Sequence, residues 1–189
     1  MRAMDGIGAL KRSLEKAEII RIGQYHYFIH PISDGIPELE PDLLEKVANV
    51  AAGLIDPRCD RILTVEALGI PIATAISLRM RKPMTIVRKK RYGLPGEVSV
   101  QSSTGYATHT LYLNGVKRGE KVAFVDDVLS TGGTITAVAR AVRQAGAKFS
   151  DAIVVIEKGG NRARVEKELG MNIKSLVKVE ILDGKVVVR

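Results

Sequence analysis

Apolar positions recur along this chain with two periods, and their alternation sets the expected architecture. Residues 7–17 carry Ile7, Leu10, Leu14 and Ala17 on one helical face. Residues 18–29 place Ile20, Ile22, Tyr25, Tyr27 and Ile29 in imperfect alternation, which predicts an extended segment. Residues 30–37, with Pro31, Ser33, Asp34, Gly35 and Pro37, read as a loop. A helix opens near Pro41, with Glu40, Asp42 and Glu45 at its positive end. Leu43, Leu44, Val47, Ala48, Ala51, Leu54 and Ile55 form its stripe, and Asp56 and Pro57 end it. Strand and helix then alternate, with strands at 61–65, 84–88, 121–125 and 151–156 and helices at 69–80, 133–145 and 161–169. Short strands at 177–181 and 186–188 flank a hairpin signal, Asp183 and Gly184. This order predicts an α/β fold, a parallel sheet flanked by helices, with ligands at the carboxyl ends of the strands.

One stretch interrupts the alternation. Residues 89–119 open on a basic run and pass Gly93, Leu94, Pro95 and Gly96. They also contain Ser99, Ser102, Ser103, Thr104 and Gly105. Val98 to Val100 and Leu111 to Leu113 can pair as an antiparallel ribbon, so the insertion reads as a lid or binding loop over the active edge.

Composition narrows the class. A chain of 189 residues makes one domain or slightly more. It has few aromatics and no Trp, so its core is aliphatic. Its lone cysteine, Cys59, leaves no partner for an intramolecular disulfide and fits a reducing compartment. No apolar run approaches the ~20 residues of a membrane span, and charges interrupt the first 16 residues, so a cytoplasmic protein without a membrane role is expected. The net charge of +8 has a local source in Arg88, Lys89, Lys90 and Arg91. Without interleaved aromatics or a helix-turn-helix signature, that cluster fits a small polyanion better than nucleic acid.

The densest chemistry lies at residues 122–134. Val122 to Val125 read as a buried strand, Asp126 and Asp127 as its end, and Ser130, Thr131, Gly132, Gly133 and Thr134 as a loop entering a helix. Ile135, Val138, Ala139 and Val142 carry that helix forward to Gly146. A helix N-terminus offers unpaired N–H groups to an anion, and glycines let a phosphate approach the backbone. A carboxylate pair beside an anion makes sense if it holds sugar hydroxyls or a divalent cation. No Lys-Ser/Thr follows the glycines, which excludes a Walker loop, and the dinucleotide spacing is absent. The stretch describes a phosphorylated sugar.

It resembles the phosphoribosyl pyrophosphate (PRPP) signature of type I phosphoribosyltransferases, and the chain is most similar to the archaeal hypoxanthine/guanine branch. The resemblance spans nearly all residues and implies one domain over 1–189, with a small hood from about residues 1–40 plus strands in 171–189, and a flexible β-ribbon loop. It implies purine salvage: transfer of 5-phosphoribose from PRPP to hypoxanthine or guanine, giving IMP or GMP and pyrophosphate. Asp126 and Asp127 would bind the ribose hydroxyls as the catalytic pair, and Ser130 to Thr134 the 5′-phosphate. Glu66, Ala67, Leu68 and Gly69 resemble the pyrophosphate loop, and Arg88, Lys89 and Lys90 would neutralise the leaving diphosphate. Lys158, Val128 and Asp34 fall to the base pocket, Lys158 donating to O6 of a 6-oxopurine. Residues 27–37 look like the hood segment, where Ser33 is a further candidate. Mg²⁺ is implied, held mainly by PRPP with no direct protein ligands, and so is a homodimer. Ser130 stands where the mammalian branch has an aspartate thought to serve N7 of the base, and Ser103 to Tyr106 lacks the glutamate of the adenine branch. Asp127, Glu97 or water are left as the base. His26, His30 and His109 lack metal-site spacing. Xanthine or adenine transfer, and a non-catalytic PRPP- or purine-sensing regulator, are the alternatives.

Overall fold

A computed structural model describes residues 2–22, 25–103 and 108–189. Helix α1 (Arg2–Leu14) leads into an antiparallel hairpin, β1 (Glu18–Ile22) and β2 (Tyr25–Ile29). A one-turn helix, α2 (Pro31–Asp34), and α3 (Pro41–Ala52) follow. The central part runs β3 (Arg61–Val65), α4 (Gly69–Met80), β4 (Met84–Val87), β5 (Val98–Ser103), β6 (Thr108–Leu113), β7 (Lys121–Leu129) and α5 (Gly133–Gln144). It closes with β8 (Lys148–Lys158), α6 (Arg162–Leu169), β9 (Lys174–Leu182) and β10 (Lys185–Val188).

The main sheet has six strands in the order β10-β9-β8-β7-β3-β4, parallel except for β10 at its edge. Its central strands are buried on both faces, which is why their sequences are continuous apolar runs. Along β7, Ala123 and Val125 face a core built with α1, α3 and α4, while Val122 and Phe124 face a second core under α5. Side chains alternate along β8 in the same way, Ile153 and Val155 against Ala152 and Val154.

Several expectations are corrected. The segment 18–29 is a hairpin, with Glu18 opposite Ile29, and not one extended piece. The loop at 30–37 contains α2, capped by the His30 side chain and closed by Gly35 at φ 69°. Strand β7 runs on through Asp126 and Asp127 to Leu129, because β8 also continues and pairs with it as far as Leu129 opposite Glu157. The strands grouped with the hood in residues 171–189 belong to the main sheet: β9 lies parallel to β8 and β10 turns back on β9. The ribbon β5–β6 forms in the expected register, Val98 opposite Leu113 and Val100 opposite Leu111. Its inner residues Val100, Leu111 and Leu113 are buried in the second core, and Arg88 and Tyr112 exchange backbone hydrogen bonds of 2.9 and 2.7 Å. The body of the ribbon is therefore packed down. Thr104, Gly105 and Tyr106 lie outside the described residues.

Candidate active site

At the carboxyl ends of β3, β7 and β8 lies a cavity of about 390 Å³. Its walls include Asp126, Asp127, Val128, Ser130, Thr131, Gly132, Gly133 and Thr134 from the β7–α5 crossover. Glu66, Ala67 and Lys89 come from the neighbouring loops, Lys158 from β8, and Tyr27, Phe28 and Ser33 from the hood. Ser102, His109 and Leu111 reach in from the ribbon.

The β7–α5 loop is shaped for an anion. Gly132 caps α5 at φ 83°, a left-handed conformation that an L side chain would resist, and a Cβ there would collide with Val165. The N-terminus of the 12-residue α5 faces the cavity with its dipole positive. Gly146 closes the far end at φ 76°, as the sequence predicts.

Asp126 and Asp127 stand beside this loop, Asp126 only 8% exposed. Burial raises the carboxyl pKa of Asp126 well above the usual range, and the charge of Asp127 raises it further. Asp127 is raised as well, mainly by burial. Gly69, at the start of α4, makes room for the pair: a Cβ there would meet the Thr64 hydroxyl and stand 2.8 Å from Asp126 Oδ1. The Thr64 hydroxyl is itself buried and has no hydrogen-bond partner among the described residues. Neither aspartate has a cationic partner among the described residues, so the pair suits sugar hydroxyls or a hard cation that keeps its waters. Among those residues no cluster of three His, Cys, Asp or Glu side chains forms a metal cage.

The residues expected at a diphosphate divide. Ala67 and Lys89 line the cavity, whereas Leu68, Gly69, Arg88 and Lys90 are not in its wall. The Glu66–Ala67 peptide is cis. Glu66 reaches the wall, yet its carboxylate is turned away onto the basic strand end. It accepts from Arg88 Nε at 2.6 Å and from the Lys89 N–H at 2.5 Å. Burial alone would raise its pKa, but the Lys89 N–H and the Arg88 guanidinium hold it below the usual value. Glu66 thus anchors Arg88 and Lys89 from its place at the wall. Lys90 and Arg88 both lie over the Tyr92 ring, at 5.8 and 5.9 Å.

Lys158 leaves the end of β8 and runs under the hood. Its ammonium lies 5.3 Å from the Tyr27 ring centre and 5.4 Å from that of Phe28, and donates to the His26 carbonyl at 3.3 Å. Burial lowers its pKa, and the nearby charge of Asp34 opposes that shift. Asp34 is not in the cavity wall. Its carboxylate accepts from Tyr27 Oη at 3.0 Å, from the His30 N–H at 3.0 Å and from Ser33 Oγ at 2.7 Å. It fixes the hood residues that do line the cavity, and Ser33 is the polar one that reaches it. Glu97, a candidate base, is also occupied elsewhere. It accepts from Asn114 Nδ2, Tyr92 N–H and Gly93 N–H at 3.0, 3.0 and 3.1 Å, and these bonds hold its pKa down. Of the two side-chain candidates, Asp127 alone is in the wall.

The sequence reading passed over Tyr27, Phe28, Ser102, His109 and Leu111 as cavity residues. One signal for the first two was available. Adjacent aromatics break the alternation of β2, so one must face the core and the other the mouth of the site; Phe28 is 3% exposed and Tyr27 is only half-buried.

Residues 39–183 match the phosphoribosyl transferase domain family. The chain is 50% identical over 177 residues to the hypoxanthine/guanine phosphoribosyltransferase of Methanococcus vannielii, covering 94% of this chain and 96% of that protein. It is 49% identical over 181 residues to the protein of the same name from Methanocaldococcus infernus, covering 95% and 99%. The fold matches a crystal structure of adenine phosphoribosyltransferase from Thermoanaerobacter pseudethanolicus with a TM-score of 0.72, at 24% identity, covering 91% of this chain and 99% of that one.

Proposed function

The chain belongs to the phosphoribosyl transferase domain family, and on that premise we propose that it transfers 5-phosphoribose from PRPP to N9 of hypoxanthine or guanine. The N9–C1′ bond forms, the C1′–oxygen bond to the diphosphate breaks, and its electron pair leaves with pyrophosphate. The N9 proton passes to Asp127 or to water. The products are IMP or GMP.

One observation carries this reading. A single cavity joins a carboxylate pair and a glycine-rich helix N-terminus at one end to a half-buried lysine under two aromatic rings at the other. The first end suits ribose 5-phosphate. At the second end Lys158 has donors only, so it matches the O6 acceptor of a 6-oxopurine and opposes a 6-amino group. Ala67 offers its backbone N–H for the diphosphate, with Lys89 as the cation beside it in the wall; Leu68 and Gly69, which resemble the rest of the pyrophosphate loop, lie behind the wall. Mg²⁺ bound mainly to PRPP, with Asp126 and Asp127 on the ribose side, would neutralise charge on the departing diphosphate. The same reading makes the protein a cytoplasmic homodimer in which an exposed basic residue such as Lys90 serves the neighbouring subunit; sedimentation velocity gives the subunit count.

The test is a base panel: purified protein, PRPP and Mg²⁺ with hypoxanthine, guanine, xanthine or adenine, following pyrophosphate. Hypoxanthine and guanine are the expected acceptors. Consumption of adenine alone would sink the assignment of Lys158. Pyrophosphate release with none of the four would favour a sensing protein.

A further inference from the structure

Three consecutive residues of the β7–α5 loop rest on one face of α6. The Asn161 amide donates to the Ser130 carbonyl at 3.1 Å. Arg164 Nη2 donates to the Thr131 carbonyl at 2.6 Å. Val165 occupies the space that a side chain on Gly132 would need. Positions 161, 164 and 165 share a helical face by the three- and four-residue spacing. We infer that Asn161 and Arg164 are positioning residues for phosphate binding, aiming the loop's amides into the cavity. This inference rests on the transferase reading given above.

The reason is the geometry of the peptide unit. A trans peptide is planar, with its C=O and its N–H pointing opposite ways. Holding the Ser130 carbonyl toward α6 turns the Thr131 N–H away from α6. Holding the Thr131 carbonyl does the same to the Gly132 N–H. Both residues line the cavity, so the side opposite α6 is the side a phosphate would occupy. Arg164 adds charge to its hydrogen bond, which strengthens it and polarises the peptide it holds. Val165 keeps the third residue a glycine, so the loop can stay in its left-handed conformation.

The helix doing the holding is itself fixed. Arg162, its first residue, pairs with buried Glu157 at 3.1 Å, and Ser175 Oγ donates to the same carboxylate at 2.9 Å. Glu166 accepts the Ile173 N–H at 2.8 Å. Glu157 immediately precedes Lys158 on β8, so the strand end that presents the base-pocket lysine also locates the helix that orients the phosphate loop.

The experiment compares wild type with Asn161→Asp, Arg164→Met and Arg164→Lys. Asn161→Asp keeps the shape and removes the donor, while Arg164→Lys keeps a charged donor. The readouts are KM for PRPP, KM for the base, kcat, the unfolding midpoint, and binding of inorganic phosphate by calorimetry. Loss of a loop-orienting donor should raise KM for PRPP and weaken phosphate binding about 10-fold each in Asn161→Asp and Arg164→Met. KM for the base and the unfolding midpoint should change little, and Arg164→Lys should recover most of the loss. Unchanged phosphate affinity in the first two variants overturns the inference, as does an equal rise in both KM values with a lowered midpoint. If wild type binds phosphate but never consumes PRPP, the transferase reading fails, while the phosphate titration still decides for or against Asn161 and Arg164.

Discussion

Acid should loosen this fold through His30. The imidazole is 1% exposed and links three elements. Its Nδ1 accepts from the Ile32 N–H at 3.2 Å, capping α2, so the proton of the neutral ring is on Nε2, which donates to Ser13 Oγ of α1 at 2.9 Å. Burial lowers its pKa from 6.5 to about 4, with Asp34 opposing. The folded pKa lies below the unfolded one, so the unfolded chain takes the proton first and stability falls as pH drops through 6.5 toward 4. Those two values give a loss of about 2 kcal/mol at pH 5 and about 3 kcal/mol at pH 4 relative to neutral pH. In a chain of this length the loss at pH 5 lowers the unfolding midpoint by roughly 4–8 °C from this group alone. Other groups titrate over the same range, so the comparison needs a variant without the proton. His30→Asn keeps an acceptor for the Ile32 N–H and removes the titration. Urea unfolding of both proteins at pH 7, 6 and 5 measures the difference. Wild type should be the more stable at pH 7, and its advantage should shrink by about 2 kcal/mol at pH 5. An advantage that stays constant across that range would refute the reasoning.

Other outcomes follow from the same geometry. Lys158→Met keeps the stem under Tyr27 and removes a charged donor, so kcat/KM for hypoxanthine should fall about 10- to 100-fold, for a bond of about 1.5–3 kcal/mol, with KM for PRPP nearly unchanged. Steady-state kinetics check this, and an unaltered kcat/KM would remove Lys158 from the base pocket. Replacing Asp126 and Asp127 together by Asn should abolish pyrophosphate release without loosening the ligand-free fold. Their carboxyl pKa values are raised, so in wild type stability is lost as pH rises above the unfolded value, and the double variant should gain most at alkaline pH. Unfolding midpoints between pH 5 and 9 test the sign, and a midpoint that falls throughout would contradict it. Gly132→Ala combines a left-handed backbone with a collision at Val165 and should cost about 2–5 kcal/mol in denaturant unfolding.

What could be read in advance was local. The β7–α5 segment is one continuous run in which strand, acids, glycines and helix follow each other, so its outline needs no distant partner to be read. The ribbon register was equally visible, because Val98, Val100, Leu111 and Leu113 alternate toward one face. The misread parts depend on pairing between distant segments. Nothing near Asp126 announces that β7 continues; its continuation is decided by β8, with Val128 opposite Ile156. The residues of β9 are apolar enough for either a hood or a sheet, and only their place beside β8 decides. Pro31 marks a loop in sequence and also starts a short helix, and the outcome turned on the His30 cap. Glu66 and Arg88 lie 22 positions apart, so their ion pair was invisible, and with it the reason that one basic residue is already engaged.

The treatment of buried charge in this fold bears on the site itself. Among the described residues three carboxylates are buried: Asp126, Asp151 and Glu157. Asp151 has Lys174 at 2.6 Å and also accepts the Asp56 N–H at 3.0 Å. Glu157 has Arg162 at 3.1 Å and the Ser175 hydroxyl. Both therefore follow the usual rule that a buried charge is paired and hydrogen-bonded. Asp126 breaks it. Its neighbour is a second carboxylate, and beneath it lies a threonine hydroxyl without a partner among the described residues. In a chain with 29 Lys and Arg residues, a lysine or arginine could have been placed there, so scarcity of cations is no explanation. A resident cation would stabilise the empty fold and occupy the place a ligand needs. Leaving the pair uncompensated costs the free protein some stability but preserves two acceptors, which become favourable only when hydroxyl protons or a divalent charge arrive. The proposed reading separates the site's two ends on the same logic: there the acid pair takes donors, while Lys158, which has donors only, takes an acceptor. Under the transferase reading proposed above, the ligand carries hydroxyls beside a phosphate at one end and an exposed oxygen at the other, as a ribosylated 6-oxopurine does and an adenine nucleotide does not.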